Sequence, residues 1–126
     1  MLGLFQKKKS GARNRRRFMR VAEKNAMLNV DGVSYAVSDW SLDGFLALGY
    51  RGGLERGDEA RARLVIVYKG NPEGFDIRIR ILRENEETRE LAGQFLDMSA
   101  LARRNLELVY ADRVAKMERL ERGARG

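Results

Sequence analysis

The chain has no cysteine and no histidine among its 126 residues, and it has a single proline. Without cysteine there are no disulfide bonds, and without either residue most zinc sites are excluded. The Cys–His and Ser–His pairs that activate a nucleophile in many hydrolases are excluded as well. We therefore expect a binding protein rather than an enzyme, with no metal and no cofactor.

Long apolar runs are also missing. The sequence has no stretch of about 18 apolar residues, the length that spans a bilayer. Its first five residues are too few for the apolar core of a secretion signal, and three lysines follow them instead of preceding them. Together with the absence of cysteine, these features predict a cytoplasmic protein. The length of 126 residues predicts one domain with a single modest core.

Positive charge is concentrated at the amino terminus. The net charge is +7, from 25 basic and 18 acidic residues. Residues 1–20 hold eight of the basic residues and no acidic one, which leaves 17 basic against 18 acidic in the rest of the chain. The sequence thus predicts a near-neutral body with a cationic arm. Such an arm attracts phosphates, nucleic acid or an anionic membrane surface, and the alternative is a solvated, disordered terminus.

Most of the chain carries the signals of short strands. The clearest period of two lies at residues 75–81, where apolar residues alternate with charged ones. The Asp31-Gly32 pair predicts a tight hairpin turn. A loop is predicted around the only proline, at residues 70–74, and a polar turn at residues 84–87. The other predicted strands are 26–30, 33–38, 45–50, 62–68 and 88–96. Short strands at regular spacing indicate a β-barrel or a sandwich.

The period changes to a helical one at about residue 99. Apolar residues then recur at helical spacing from Leu101 to Leu120, and Asp97 or Ser99 is the candidate N-cap. We expect this C-terminal helix to cover one mouth of the barrel and to pack its apolar stripe in the core. Dimerisation through the last turns is the alternative.

Two motifs about twenty residues apart suggest a chemistry. Residues 16–20 form the pattern RxxxR, and residues 39–44 form the pattern DxSxxG. A guanidinium bonds a phosphate, or the O6/N7 edge of guanine, through two parallel hydrogen bonds. An aspartate accepts from the N–H groups of guanine, and a serine hydroxyl serves a phosphate or a base. A glycine allows positive φ or close approach of the backbone.

Each motif also has an alternative interpretation. Arg13 and Arg17 form a second RxxxR register, although Arg16 and Arg20 lie nearer the first strand. Asp39 and Ser41 are typical of an ordinary side-chain turn that a following glycine closes. Strict alternation would also place Val37 on the same face as Asp39, so we expect either a β-bulge near Ser38 or a strand buried on both faces. Trp40 is expected to pack in the core, with base stacking as the alternative.

In this order, and followed by strands, the two motifs resemble those of the PilZ domain, over about residues 15–110. The resemblance implies a mainly β fold: a six-stranded antiparallel β-barrel with a C-terminal α-helix and a flexible basic N-terminal arm. It divides the chain into an arm at 1–14, a PilZ domain at 15–122 and a tail at 123–126. It also implies a bacterial second-messenger receptor or adaptor that binds cyclic di-GMP (c-di-GMP).

The resemblance also implies which residues bind the ligand. In the family the positions that correspond to Arg16, Arg20, Asp39, Ser41 and Gly44 bind c-di-GMP. Arg15 and Arg17 are secondary candidates, and a basic residue at the position of Arg15 accompanies an intercalated ligand pair in relatives. We therefore expect two c-di-GMP molecules per protomer. Asp43, a position that is often glycine in relatives, adds a carboxylate that would lower the affinity for an anionic ligand.

Two other functions stay open at this point. The first is a nonspecific nucleic-acid-binding β-barrel whose arm grips phosphates, although the strands show no cluster of exposed aromatics for base stacking. The second is a PilZ-like assembly module that binds no nucleotide. For a receptor we expect an unidentified downstream protein as partner, and a monomer or a weak dimer.

Overall fold

The protein is described here by a computed structural model that covers residues 18–125. The predicted arm at residues 1–14 lies outside the described residues, as do Arg15, Arg16 and Arg17. Within the described part, seven strands precede one helix. The elements are β1 (Val21–Ala22), β2 (Ala26–Val30), β3 (Val33–Trp40), β4 (Gly44–Leu48), β5 (Glu59–Tyr68), β6 (Asn71–Asn85), β7 (Glu90–Asp97) and α1 (Ala100–Arg125).

Six of the strands form a closed antiparallel barrel. Their order around the barrel is β3-β2-β5-β6-β7-β4, and pairing between β3 and β4 closes the ring. The two-residue strand β1 is an addition that pairs with the end of β3. The predicted fold class, a six-stranded antiparallel barrel with a C-terminal helix, is therefore confirmed. Strand β1 was not predicted, because two residues are too few to show a period.

Alternating side chains fill the barrel. Phe75, Ile77, Ile79 and Ile81 of β6 are buried, whereas the charged residues between them are exposed. The period-two prediction for this strand is thus confirmed. The other large side chains that are fully buried come from all sides of the barrel and from the helix: Trp40, Phe45, Leu28, Leu64, Ile66, Leu91, Leu106, Val21 and Val109.

The loop predicted around the proline is wrong. The chain reverses in the two residues Lys69 and Gly70, whose φ angles are 52° and 81°, and β6 begins at the next residue. Pro72 pairs with Val67 of β5, and β7 pairs with β6 only from Arg78 onward. The proline therefore lies where β6 has one neighbour, a position at which a missing N–H breaks no ladder.

The next turn lies later than predicted. Residues 84 and 85 still belong to β6, and the reversal occupies residues 86–89. The Asn85 side chain accepts hydrogen bonds from the backbone N–H groups of Glu87, at 2.9 Å, and Thr88, at 3.2 Å. This asparagine cap fixes where the strand ends.

Helix α1 begins at a serine cap. The Ser99 Oγ accepts a hydrogen bond from the backbone N–H of Ala102 at 3.0 Å, so Ser99 rather than Asp97 is the N-cap. Leu106 and Val109 are buried against the barrel, but Leu101 and Leu120 are 65% and 74% exposed. The predicted apolar stripe is thus core only in its middle part, because the 26-residue helix is longer than the surface that it covers. No helix in the described range is both long and apolar enough to cross a membrane.

Candidate ligand-binding site

The structure brings one residue of each motif into direct contact. Arg20 lies immediately before β1, and Asp39 lies on β3 opposite Ala22 of β1. The Arg20 Nη1 is 2.9 Å from the Asp39 Oδ1, and the two side chains are 25% and 30% exposed. This ion pair therefore joins two motifs that are 19 residues apart in the sequence, and solvent reaches both groups.

A β-bulge sets the direction of the Asp39 side chain. The register of β3 against β4 shifts between Val37 and Asp39, so Ser38 is the extra residue. Val37 and Trp40 both face the core, and the two residues between them are only partly buried. Of the two alternatives expected for this strand, a bulge near Ser38 or burial on both faces, the structure shows the bulge. The Ser38 hydroxyl donates to the second oxygen of Asp39 at 2.9 Å, so both carboxylate oxygens accept a hydrogen bond.

Ser41 lies inside a tight turn. Its Oγ accepts from the backbone N–H of Asp43 at 3.1 Å, and its own N–H donates to the carbonyl oxygen of Gly44 at 2.9 Å. The residue is only 3% exposed. These contacts are those of a serine that shapes a turn. The assignment of Ser41 to the ligand stays a prediction.

Gly44 occupies a position that has no room for a side chain. A Cβ at Gly44 would overlap the carbonyl oxygen of Gly93 on the neighbouring strand β7. A Cβ at Gly93 would in turn overlap the ring of Phe45. Gly44 therefore permits the close approach of β4 to β7. Its role toward a ligand stays a prediction.

A buried ion pair behind the site was missed in the sequence. The Glu23 side chain, which is 4% exposed, accepts from Trp40 Nε1 at 2.9 Å and from Arg113 Nε at 3.0 Å. Burial disfavours the charged guanidinium, but the hydrogen bond and the charge of Glu23 outweigh it and raise the pKa of Arg113. Glu23 and Arg113 are 90 residues apart in the sequence, so no local pattern could have indicated the pair.

Helix α1 also holds the segment that leads into Arg20. The Tyr110 hydroxyl donates to the carbonyl oxygen of Met19 at 2.6 Å. The Tyr110 ring makes edge contacts with Phe18 and Trp40, at centroid distances of 6.1 and 5.7 Å. Trp40 is fully buried, so the expectation that it packs in the core is confirmed. Burial, together with the charge of Asp43, raises the pKa of Tyr110.

The site therefore consists of a partly exposed guanidinium and carboxylate, backed by buried side chains. Arg20 bonds Asp39 through one of its nitrogens, and a guanidinium carries five N–H donors in a planar fork. The remaining donors are available to a phosphate or to the acceptor edge of a base. Of the seven predicted site residues, the structure places Arg20, Asp39, Ser41 and Gly44, and the other three precede the described range.

Comparison with known proteins identifies the fold. The sequence matches no protein-family model and no curated protein. Among solved structures it is similar to the Bacillus subtilis inhibitor of motility MotI/DgrA, with a TM-score of 0.62 and 14% identity over 81% of this chain. It is also similar to Escherichia coli YcgR in complex with c-di-GMP, with a TM-score of 0.60 and 22% identity over 87% of this chain.

A third solved structure matches over nearly its whole length. It is the PilZ domain of Escherichia coli YcgR with c-di-GMP, with a TM-score of 0.56, 18% identity, and coverage of 85% of this chain and 97% of that one. By contrast, the chain spans about half of MotI/DgrA and of the longer YcgR chain, 52% and 49% respectively. The protein thus has a PilZ-like fold.

Proposed function

We propose that the protein is a PilZ-domain receptor for c-di-GMP, which binds through Arg16, Arg20, Asp39, Ser41 and Gly44. The observation that carries the proposal is the Arg20–Asp39 contact of 2.9 Å, because it unites the two motifs at one partly exposed place. The similarity in fold to a PilZ domain solved with c-di-GMP supports the class of ligand. Arg15 and Arg17 are secondary ligand contacts in this proposal.

The proposed site draws its further positive charge from the residues just before the described range. Arg16 precedes Arg20 by four residues, so their Cα atoms lie at most about 14 Å apart in any conformation. Phe18, the first described residue, packs its ring against that of Tyr110. Arg16 is therefore within reach of a dinucleotide that contacts Arg20 and Asp39.

Ligand binding would change the surface of the protein. Fixing the arm costs about 1–2 kcal/mol of conformational entropy per ordered residue. Charge-assisted arginine contacts to the phosphates and guanines offset that cost. The cationic arm becomes a folded and partly neutralised patch that a downstream protein recognises. In this proposal the protein is a cytoplasmic bacterial adaptor with no enzymatic activity, and it is a monomer or a weak dimer.

Calorimetric titration of the full chain with c-di-GMP tests the proposal, with GTP and a short oligonucleotide as control ligands. We expect Arg16→Ala and Arg20→Ala each to weaken binding by about 1–3 kcal/mol, because each removes a bidentate contact. Arg119→Ala, at an exposed position of α1, is the matched control and should leave the affinity unchanged. Saturation should occur at two equivalents of c-di-GMP.

Each alternative gives a different result in the same titration. Unchanged affinity in both motif variants would refute the assignment of the arginines, and saturation at one equivalent would refute the ligand pair. Binding of the oligonucleotide alone, with steep dependence on salt, would indicate a nucleic-acid-binding protein.

A PilZ-like assembly module that binds no nucleotide is the second candidate function. The observation that favours it is that Ser41 and Gly44 already have roles in the fold, in a turn and in a close strand contact. Two of the three motif positions are thus accounted for without a ligand. No heat on addition of c-di-GMP to the folded chain would support this candidate.

A further inference from the structure

Ser38 is the extra residue of the bulge in β3, and it belongs to neither of the two motifs. Between two successive pairs, β3 has one residue more than β4, so Ser38 has no partner on β4. On the other side of β3, the backbone N–H of Glu23 donates to the carbonyl oxygen of Ser38 at 3.0 Å. Glu23 follows β1 directly, so the end of β1 holds the backbone of the bulge.

The bulge brings the side chains of two consecutive residues together. In a regular strand, neighbouring residues point to opposite faces, so their side chains do not meet. The Ser38 Oγ nevertheless lies 2.9 Å from the Asp39 Oδ2, and both residues are partly buried. Val37 and Trp40, on either side of the two, are buried in the core. The bulge has thus placed a hydroxyl beside the carboxylate of the proposed site.

Each oxygen of the Asp39 carboxylate has a different donor. An ionised carboxylate carries no proton, so the Ser38 hydroxyl is the donor in their hydrogen bond. Ser38 donates to Oδ2 at 2.9 Å, and the Arg20 Nη1 donates to Oδ1, also at 2.9 Å. Two donors on separate oxygens fix the rotation of the carboxylate plane. A carboxylate has about four acceptor sites, so about two of them remain for a ligand.

The remaining acceptor sites match guanine and do not match adenine. Guanine presents two adjacent donors, N1–H and N2–H, and a carboxylate held in one orientation accepts from both through its two oxygens. Adenine presents the acceptor N1 beside a single N6 amino donor, so its lone pair would face the negative charge. A site that bonds two N–H groups rejects an analogue that lacks one of them, because an acceptor is then left unpaired. The orientation of Asp39 therefore affects the choice of base as well as the affinity.

We propose that Ser38 is a positioning residue, which favours guanine over adenine by holding the carboxylate of Asp39 in place. Arg20 alone does not fix that carboxylate, because it donates to one oxygen only. Ser38 supplies the second contact, and the bulge that carries it is itself bonded to the end of β1. The inference rests on the proposed function, because it requires that c-di-GMP binds at Arg20 and Asp39.

Calorimetric titration of the full chain with c-di-GMP and with cyclic di-AMP, which carries adenine in place of guanine, tests the proposal. We expect Ser38→Ala to weaken binding of c-di-GMP about tenfold, because Asp39 loses one of its two donors. The affinity for cyclic di-AMP should stay unchanged, so the preference for guanine should fall by the same factor. Ser34→Ala is the matched control. It removes a hydroxyl from the same strand, where Asn29 donates to it at 3.3 Å, and it should change neither affinity.

Two further variants separate positioning from a general effect on the fold. Ser38→Thr keeps the hydroxyl and has a side chain that is common in strands, so its affinity for c-di-GMP should stay within about twofold of that of the unmodified chain. Ser38→Cys keeps the size of the side chain but is a weak donor, and it replaces Ser38→Ala if that variant does not fold. Circular dichroism checks the fold of each variant.

A double-mutant cycle determines whether Ser38 acts through Asp39. Asp39→Asn replaces one acceptor oxygen by an NH₂ donor, so the side chain no longer accepts from both N–H groups of guanine. Ser38→Ala should therefore weaken binding of c-di-GMP about tenfold in the unmodified chain and cause no further loss in the Asp39→Asn chain. Equal losses in both backgrounds would contradict the positioning role, since the two residues would then act independently.

The outcomes separate the role of Ser38 from the proposed function. If the unmodified chain binds c-di-GMP, and Ser38→Ala binds it as tightly as Ser34→Ala does, the role of Ser38 is excluded and the proposed function stands. If Ser38→Ala loses affinity for both dinucleotides equally, Ser38 has no part in the choice of base. If the unmodified chain does not bind c-di-GMP, both proposals fail.

Discussion

Glu23 is the residue on which the surroundings of the proposed site depend most. Its carboxylate is almost fully buried and accepts hydrogen bonds from two different elements, from Trp40 on β3 and from Arg113 on α1. Arg113 in turn donates to the carbonyl oxygen of Val67 at 2.6 Å. Removal of one member of such a pair leaves a buried charge without its partner, which costs far more than the loss of an exposed ion pair.

We therefore expect Glu23→Ala to lower the free energy of unfolding by roughly 3–5 kcal/mol, because Arg113 would stay buried with its main counterion gone. Urea unfolding followed by circular dichroism measures the change. Glu118→Ala, at an exposed position of helix α1, which also carries Arg113, is the control and should change the free energy of unfolding by less than about 0.5 kcal/mol. A loss no larger than that of the control would show that the pair contributes nothing.

The sequence predicts single residues well where a local pattern constrains them. Strict alternation puts the apolar Val37 and the charged Asp39 on one face, and this conflict makes a bulge near Ser38 one of two expected solutions, the one that the structure shows. The Glu23–Arg113 pair and the bond from Tyr110 to Met19 have no such signal, because they join residues that are 90 and 91 positions apart. Only the folded barrel brings those residues together.

Helix α1 donates hydrogen bonds to the segments that carry the two motifs. Near its start, Arg103 donates to the carbonyl oxygen of Leu42 at 3.3 Å, within the DxSxxG motif. Further along, Tyr110 holds Met19, which directly precedes Arg20. Direct contacts therefore connect helix α1 to the residue before Arg20 and to the turn that follows Trp40.

The attachment through Tyr110 should weaken at alkaline pH. Burial raises the pKa of Tyr110, so the folded protein holds this proton more tightly than the unfolded chain does. The resulting stability is complete below the unfolded pKa of about 10 and is lost as the pH rises through the folded value. Unfolding in urea at a series of pH values should show a smaller alkaline loss for Tyr110→Phe than for the unmodified chain.

Tyr50 is the internal control for that experiment. Burial raises its pKa too, so part of the alkaline loss should persist in the Tyr110→Phe chain. At neutral pH the same variant should lose about 0.5–1.5 kcal/mol, the usual worth of one hydrogen bond. Identical alkaline profiles for both proteins would exclude a role for Tyr110 in the pH response.

Elements were predicted best where they are regular and long. The alternation of β6 and the helical period of α1 are confirmed in type, and the ends of both elements differ from the prediction. The sequence predicts a loop at Pro72 because it does not reveal that β6 has only one neighbouring strand there. The exposed ends of the apolar stripe on α1 have a similar cause. How much of the helix the barrel can cover depends on the folded structure and cannot be deduced from the sequence of the helix.

At the scale of the whole molecule, the net positive charge lies in a different part of the chain from the barrel and the helix. All 18 acidic residues lie after residue 17, and they are matched by 18 basic residues there, so the excess of +7 belongs to the first 17 residues. The barrel and the helix therefore carry no net charge of their own. Long-range attraction of an anionic ligand should come from these first 17 residues, and short-range recognition from the Arg20–Asp39 pair.

Deletion of residues 1–14 should weaken the long-range contribution and leave the short-range one in place. The shortened chain keeps both motifs but loses four basic residues: Lys7, Lys8, Lys9 and Arg13. We expect it to bind c-di-GMP with a weaker dependence on ionic strength, because fewer charges are screened by salt. Calorimetry at low and high salt measures this change, and replacement of the three lysines by glutamine is the matched control. Complete loss of binding at low salt would instead place essential contacts within residues 1–14.

The burial of Trp40 has a practical consequence. It is the only tryptophan of the chain, it follows Asp39 directly, and its indole nitrogen is bonded through Glu23 to α1. The protein thus contains an intrinsic fluorophore where the segment before Arg20, the turn at residues 41–44 and helix α1 meet. Emission spectroscopy can follow an event at any of the three without a dye, in dilute samples and in real time.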